Sequence, residues 1–329
     1  MNRIFLVSFA FFIFLGLTSA ITFSVWLYGS YTESGPLTQK TMTIIPKGAG
    51  SSLVAHQLKS EKIIADEFVF LVGMVIWDGD KSFKAGEFSI PKRASARKVA
   101  SIIQSGKTAV RRITIPEGHT KADIIRKLIK VDGLVGKVPS NLFEGDFLPE
   151  TYYYSYGDSR EKILRRMRNS MNKTTADLWQ NRKKGLPIRT RKEAIILASI
   201  VEKETAISSE RSRVAGVFIN RLNKGMRLQS DPTVVYGLTK GLQPLGRPLL
   251  RRDLKSYTPY NTYIINGLPP GPISNPGRAS IEAVLHPLDT DELYFVSDGQ
   301  GAHRFSKTLK KHNINVAKFR AQKNKIDKD

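Results

Sequence analysis

A long stretch without any charged side chain, near the amino terminus, limits what the first element can be. It runs from Ile4 to Tyr28, 25 residues in all. About 20 apolar residues in a helix are enough to cross the hydrocarbon core of a membrane. Arg3 precedes the stretch, and positive charge tends to stay on the cytoplasmic side. We therefore expect residues 1–30 to be a single-pass anchor, and everything after Tyr31 to lie outside.

A cleaved signal peptide is the alternative interpretation of this stretch. Its cleavage site would be Leu17 to Ala20, which is a poor one. The apolar run also continues to Trp26, beyond the usual length of a signal-peptide hydrophobic region. These two features favour an uncleaved anchor.

The chain has no cysteine, so disulfide bonds and thiolate metal sites are impossible. Its five histidines are scattered, without the short spacing that is typical of zinc ligands. We therefore expect neither a metal nor another cofactor.

The net charge of +23 is concentrated in two regions. Residues 160–192 contain twelve Lys or Arg against two acids, and residues 302–329 contain nine against two. Such charge is typical of nucleic-acid binding, but an exported domain would rarely meet nucleic acid. Zinc-finger and aromatic-rich RNA-binding signatures are also missing from the sequence. We expect no nucleic-acid partner, and the basic regions then serve either contact with anionic lipid or simple solubility.

Three segments share one pattern: a short strand, a turn with Pro or Gly, a Ser or Thr cap and an amphipathic helix. They start at Ile45–Gly48, Ile90–Lys92 and Ile115–Gly118. The copies are too degenerate for a repeat array.

The later part of the chain mixes helix and hairpin signals, so the whole chain is predicted to be an α+β protein. A hairpin is indicated where two apolar runs flank Asp298–Gly301. Helices are predicted over Ser159–Met171, from Ser209 to Leu222, and over Lys307–Lys325.

The run Ala194–Thr205 combines an apolar helix with two carboxylates. Seven of its first eight residues are apolar, so this helix is expected in the core. Burial raises the pKa of a carboxyl group and keeps a proton available near neutral pH, which a general acid needs. Glu202 and Glu204 lie about 200° apart around the helix, so only one can easily face a cleft. The alternative is a pair of solvated glutamates that meet nearby Lys and Arg side chains.

Further polar and aromatic motifs follow this helix in a dense order. They are Val217–Leu222, Leu228–Gly237, Thr258–Tyr263, Gly267–Ile273 and Asn275–Gly277, and Glu144–Tyr152 and Tyr294–Gly299 lie outside this region. Taken together, they resemble the YceG-like (MltG) endolytic murein transglycosylases, which cleave the glycan strands of peptidoglycan. The resemblance covers nearly the whole chain.

The resemblance implies a LysM-like strand–helix module over residues 40–112 and a mixed α/β catalytic domain over residues 113–329. LysM modules bind glycan, but a spacer that only positions the catalytic domain is an equal alternative. The resemblance also implies that Glu204 is the catalytic glutamate, acting first as acid and then as base while a 1,6-anhydro ring closes. Glu202 would raise its pKa by repulsion between like charges, or position it.

The resemblance further implies a location in the inner (plasma) membrane, with the catalytic domain on the periplasmic side. The expected partners are peptidoglycan glycan strands and, beside them, peptidoglycan synthases. The protein is expected to end nascent strands by internal cuts. About ten residues, Tyr31 to Lys40, would tether the first module with a reach of roughly 35 Å.

Several other residues of these motifs are candidates for substrate binding. Their amide and hydroxyl groups suit those of an N-acetylated sugar, with local backbone capping as an equal alternative. Tyrosines could stack on sugar rings or belong to the core. Arg221 is expected to pair with Asp231, or else to contact a substrate carboxylate. The remaining candidates are Asn220, Gln229, Ser230, Tyr236, Tyr260, Asn261 and Tyr263.

A non-catalytic scaffold that binds peptidoglycan is the second hypothesis. Such a binder gains little from a carboxylate on a buried helix, so Glu204 favours an enzyme. The proline-rich segment Leu268–Ile273 is either a rigid cleft wall or a plain structural loop.

Overall fold

The computed structural model describes residues 2–79 and 82–326. The chain divides into two compact units. Unit 1 consists of Met1–Arg111 with Tyr154–Gly157, and unit 2 of Arg112–Tyr153 with Asp158–Asp329. Helices dominate, and the strands form two-stranded sheets. The mixed helix and strand content confirms the predicted α+β class.

Unit 1 begins with one long apolar helix and continues as strands and shorter helices. Strands β1 and β2 pair antiparallel, with Thr41 opposite Ile90 and Ile45 opposite Gly86. The elements are α1 (Asn2–Thr32), β1 (Thr41–Ile45), α2 (Ser51–Ser60), α3 (Glu67–Gly73), a π-helical turn (Met74–Asp78), β2 (Gly86–Ile90) and α4 (Ala96–Ser105).

Helix α1 is long and apolar enough to cross a membrane, and its last turns belong to the core of unit 1. Leu27 and Tyr31 are fully buried there. The ring of Tyr31 lies against Gly73 of α3, where a Cβ atom would come within 2.5 Å of the ring. Leu37 is buried as well, and its carbonyl accepts a hydrogen bond from the Arg93 amide at 2.8 Å. The expected free tether from Tyr31 to Lys40 is therefore wrong, because apolar side chains along it pack into the module.

Unit 2 follows with further helices and two strand pairs. Strand β3 pairs with β4, and β5 pairs antiparallel with β6. The elements are β3 (Arg111–Thr114), α5 (Lys121–Lys130), β4 (Thr151–Tyr154), α6 (Arg160–Gln180), α7 (Arg191–Glu204), a 3₁₀ turn (Ser208–Glu210), α8 (Arg211–Asn223), α9 (Asp231–Thr239), α10 (Arg251–Leu254), α11 (Arg278–Leu285), β5 (Tyr294–Ser297), β6 (His303–Ser306) and α12 (Leu309–Ile326).

Helix α7 lies in the core of unit 2, as its apolar sequence predicts. Residues 196–201 are all buried, and α6, α8 and α11 pack around the helix. Thr190 caps its start, because its hydroxyl accepts the Glu193 amide while the Glu193 carboxylate accepts the Thr190 amide. The helix ends at Glu204, which is only partly buried. The apolar helix thus places the Glu204 carboxylate at the edge of the core.

Two predicted helix boundaries differ from the structure. Helix α6 continues past Met171 to Gln180, because Thr175 and Leu178 extend its buried face at helical spacing. Ser209 does not cap α8; it lies within the 3₁₀ turn that leads into the helix. The predicted hairpin around Asp298–Gly301 is confirmed.

Candidate active site

Glu204 is the last residue of α7, and its side chain reaches the start of α9. The Ser230 hydroxyl donates a hydrogen bond to Glu204 Oε1 at 2.5 Å. Burial raises the pKa of Glu204 to about 7, and the nearby charge of Asp231 acts in the same direction. The Ser230 hydrogen bond and the positive charge of Arg221 oppose this rise. Near neutral pH the carboxyl group can therefore both give and accept a proton.

A buried group of hydroxyls holds Ser230 in place. The Ser230 amide donates to Thr262 Oγ1 at 3.0 Å, and the Thr233 hydroxyl donates to the Ser230 carbonyl at 2.6 Å. The hydroxyls of Thr233 and Thr262 are 2.8 Å apart. These contacts fix the backbone on both sides of Ser230, so its hydroxyl is aimed at Glu204 before any substrate arrives.

Asp231 and Tyr263 form a second hydrogen-bonded pair next to Glu204. Tyr263 Oη donates to Asp231 Oδ1 at 2.6 Å. Asp231 is exposed, so its second carboxylate oxygen is available to a ligand. Burial raises the pKa of Tyr263, and the bond to Asp231 raises it further, so the phenol stays protonated as a donor.

Gln229 precedes Ser230 and has an exposed side chain. Its backbone is left-handed, with φ of 49°, which is uncommon for a residue other than glycine. The Gln229 amide donates to the Thr262 carbonyl at 3.1 Å and holds this conformation. An exposed amide side chain is thus presented beside the Glu204–Ser230 pair.

The structure corrects the expected role of Glu202. Its Oε2 accepts the Gly277 amide at 2.9 Å, and its Oε1 lies 3.4 Å from the Arg211 guanidinium. The carboxylate therefore tethers the start of α11 on the other side of α7. The like charge that raises the pKa of Glu204 is that of Asp231.

The expected ion pair between Arg221 and Asp231 is wrong. Arg221 is buried and donates to the backbone carbonyls of Leu293 at 2.6 Å and Leu228 at 2.7 Å. Among the described residues no acid forms an ion pair with its guanidinium, and its positive charge acts on Glu204 through space. Asp231 is instead bound to Tyr263.

Two of the candidate residues, Asn220 and Asn261, use their side-chain amides to hydrogen-bond to backbone groups. Asn220 Nδ2 donates to the carbonyls of Thr290 at 2.6 Å and Glu292 at 3.1 Å. Asn261 is fully buried; its Nδ2 donates to the Ser256 carbonyl at 2.7 Å, and its Oδ1 accepts the Tyr263 amide. Asn261 therefore shapes the turn that presents Tyr263.

Glu144 is a further candidate that the sequence pattern does not predict. Its Oε1 accepts the Lys121 amide at 2.7 Å and Asn275 Nδ2 at 2.9 Å, and its Oε2 accepts Tyr236 Oη at 3.3 Å. Burial raises the pKa of Glu144 to about 7. The available signal was an acid within the aromatic-rich motif Glu144–Tyr152. Its partners lie far away in sequence, so the pattern alone could not bring them together.

Two cavities of unit 2 lie beside these residues. Tyr236 and Tyr260 pack together with ring centroids 4.8 Å apart, and one of the two rings lines each cavity. The segment Leu268–Ile273 contributes lining residues to both cavities. The cavity of about 430 Å³ is lined by residues that include Lys203, Asp231, Tyr236 and Ile273. The cavity of about 600 Å³ is lined by residues that include Phe143, Glu144, Arg191, Tyr260 and Pro272.

Known proteins match this chain over most of its length. An endolytic murein transglycosylase of Bacillus subtilis is 32% identical, with 85% of each chain covered. A protein of the same name from Streptococcus pneumoniae is 27% identical, and the match covers 94% of this chain and 64% of the pneumococcal protein. The crystal structure of a YceG-like protein from Listeria monocytogenes superposes with a TM-score of 0.53 at 31% identity, covering 84% of this chain and 98% of that one. Residues 43–318 match the YceG-like family, and the chain belongs to that family.

Proposed function

We propose that this protein is an endolytic lytic transglycosylase that cleaves the bond between N-acetylmuramic acid and N-acetylglucosamine in peptidoglycan. The observation that carries this proposal is Glu204, whose burial raises the carboxyl pKa to about 7 beside an oriented hydroxyl. The matching relatives in Bacillus subtilis and Streptococcus pneumoniae are named endolytic murein transglycosylases.

In the proposed reaction Glu204 handles both proton transfers. The protonated carboxyl group gives its proton to the glycosidic oxygen, and the bond from that oxygen to C1 of the muramyl residue breaks. The muramyl 6-hydroxyl then attacks C1, and the Glu204 carboxylate takes its proton. The products are a 1,6-anhydro end and a free N-acetylglucosamine end, so no water is consumed and the carboxyl group returns to its starting state.

The neighbouring residues divide into two proposed roles. Ser230 orients the carboxylate, and its bond to Oε1 leaves Oε2 for the substrate. Gln229, Asp231 and Tyr263 offer polar groups to the sugar, with Tyr236 on the cavity wall. The residues proposed to support the site from a distance are Glu202, Asn220, Arg221 and Asn261.

We place the protein in the inner membrane, with residues 1–30 as the anchor and residues 113–329 as the catalytic domain outside. Helix α1 supports this because it is long and apolar enough to span the bilayer. Residues 40–112 are proposed to be LysM-like, and the strand–helix units β1–α2 and β2–α4 support that assignment. A membrane-bound enzyme meets newly made glycan first, so internal cuts would end nascent strands beside the synthases.

Mass spectrometry of purified, uncrosslinked murein tests the reaction. The full chain in detergent should release medium-length fragments with anhydro-muramyl ends, and Glu204→Gln should release about 10²–10⁴-fold less in the same time. Reducing ends would mean a hydrolase, and disaccharides from one end only would contradict endolytic cutting. Unchanged glycan would favour a non-catalytic scaffold, for which the raised pKa of Glu204 has no use.

A further inference from the structure

Three apolar side chains of unit 1 are exposed on neighbouring turns. Phe68 on α3 is 54% exposed, and Val75 and Ile76 in the π-helical turn are 56% and 58% exposed. Clustered apolar side chains on a surface mark a contact with a membrane or another molecule. These three residues are called the apolar collar below.

The apolar collar lies level with the last turns of helix α1. Trp77, which follows Ile76, packs against α1 with its ring 5.2 Å from the ring of Tyr28 and 5.9 Å from that of Tyr31. On the other side, Phe68 lines a cavity of about 430 Å³ together with Trp26 and Ser30 of α1. The collar therefore flanks α1 between Trp26 and Tyr31.

That level is where the bilayer should end. A hydrocarbon core about 30 Å thick takes up about 20 helical residues. Counted from Arg3, the core ends near residue 24, and the next charged residue is Glu33. Trp26 and Tyr28 then fall in the head-group region, where aromatic side chains collect. The collar belongs to the same zone.

Two acidic groups next to the collar have partners, so these two oppose contact with lipid only weakly. Asp78 accepts Tyr31 Oη at 2.7 Å and pairs with Arg97 at 3.2 Å. Glu67 lies 3.2 Å from the ring of His56.

We propose that Phe68, Val75 and Ile76 insert into the lipid at the outer boundary of the membrane that α1 spans. Residues 40–105 then sit directly on the bilayer surface in one fixed orientation, since Leu27 and Tyr31 lock α1 into the same core. This inference rests on the proposed membrane anchor, and its occupant is phospholipid at the junction of acyl chains and head groups.

The natural absence of cysteine makes the test direct. Single cysteines at Phe68, Val75 and Ile76 carry an environment-sensitive fluorophore, and each full-length variant is reconstituted into phosphatidylcholine and phosphatidylglycerol vesicles. Leu53→Cys is the matched control, because Leu53 is 58% exposed on α2 of the same unit. Leu15→Cys, in the middle of α1, reports on the anchor itself. Lipids with a spin label near the head group quench any fluorophore at that depth.

We expect quenching at positions 68, 75 and 76 to exceed that at position 53 at least fivefold. Quenching at these three positions no stronger than at 53, with fluorescence at 15 in an apolar environment, would overturn the collar but leave the anchor standing. A polar environment at position 15 would overturn the anchor, and the collar with it. The fluorophores at 68, 75 and 76 could instead report an apolar environment that strengthens with the protein-to-lipid ratio, without quenching by the spin-labelled lipid. That result would assign this face to a second copy of the chain.

Discussion

Ser230 and Glu204 lie 26 positions apart in sequence and share a hydrogen bond of 2.5 Å. The hydroxyl donates to the carboxylate, so the bond favours the charged form. Burial favours the neutral form, and these opposing effects leave the pKa of Glu204 near 7.

Replacement of Ser230 by alanine should raise the pKa of Glu204 further. A hydrogen bond to a charged group contributes about 1.5–3 kcal/mol, which corresponds to roughly one to two pH units. Since the first step needs the protonated acid, activity falls as the pH rises through the pKa of Glu204. In Ser230→Ala this fall should move to higher pH, as measured by the yield of anhydro ends at several pH values.

Ser280→Ala provides the control for Ser230→Ala. Ser280 is also fully buried, and it lies on α11 with no hydrogen-bond partner for its hydroxyl among the described residues. Its pH profile should match that of the unaltered chain. The Ser230→Ala variant could instead lose activity at every pH while the fall in activity stays at the same pH. That result would mean that the hydroxyl orients Glu204 without changing its pKa.

Glu202→Gln should lower mainly stability, and Glu204→Gln should lower mainly activity. The first removes the charge that faces Arg211 and the Gly277 amide, so the free energy of unfolding should fall by about 1–3 kcal/mol while cleavage persists. The second should lose about 10²–10⁴-fold in rate without a fall in melting temperature. Thermal unfolding and cleavage assays on both variants check this, and lost cleavage in Glu202→Gln alone would show that the wrong carboxylate was chosen.

Glu144→Gln should flatten the pH dependence of stability. The folded-state pKa of Glu144 is about 7 against 4.5 when unfolded, so the folded state binds more protons between these values. The contribution of Glu144 to the free energy of unfolding is fully present below the lower pKa. It decreases by up to about 3 kcal/mol as the pH rises to 7. The amide cannot ionise, and it can still accept from the Lys121 amide and Asn275 Nδ2.

Melting temperatures at pH 5 and pH 8 test the Glu144 prediction. The difference between them should shrink in Glu144→Gln relative to the unaltered chain. An unchanged difference would show that Glu144 does not titrate in this range.

Gly73→Ala should destabilise unit 1 although alanine is the better helix former. Its Cβ would come within 2.5 Å of the Tyr31 ring, and overpacking of this kind costs about 1–3 kcal/mol. Gly29→Ala, within α1 of the same unit, has no atom within 4 Å of the new Cβ and should change little. Hydrogen exchange of residues 40–105 in detergent compares the two variants, and equal exchange would contradict the close packing.

Patterns with a local cause were readable from the sequence. The apolar run Ala194–Val201 predicts a core helix that ends in carboxylates, and the burial of residues 196–201 agrees. Residues i and i+2 lie about 200° apart around a helix, so Glu202 and Glu204 are also predicted to face different sides of α7. The pattern could not say which of the two faces Ser230, because Ser230 arrives from another part of the chain.

The predictions fail at two polar side chains that have several possible partners. Arg221 was expected to find an acid, but two carbonyls with suitable geometry hold the guanidinium instead. The sequence does not predict the role of Glu144, because its three donors come from α5, α9 and the loop at Asn275. Such contacts depend on tertiary packing, which has no short-range signature.

The burial of Leu27 and Tyr31 also has a consequence for folding if α1 is the proposed membrane anchor. These two side chains complete a core that includes Phe70 and Met74. Residues 40–105 would then finish folding only once α1 has entered the lipid and the two side chains can reach that core. For the same reason a water-soluble fragment that begins after Tyr31 would carry a hole in its core, so a usable truncation has to start before Leu27.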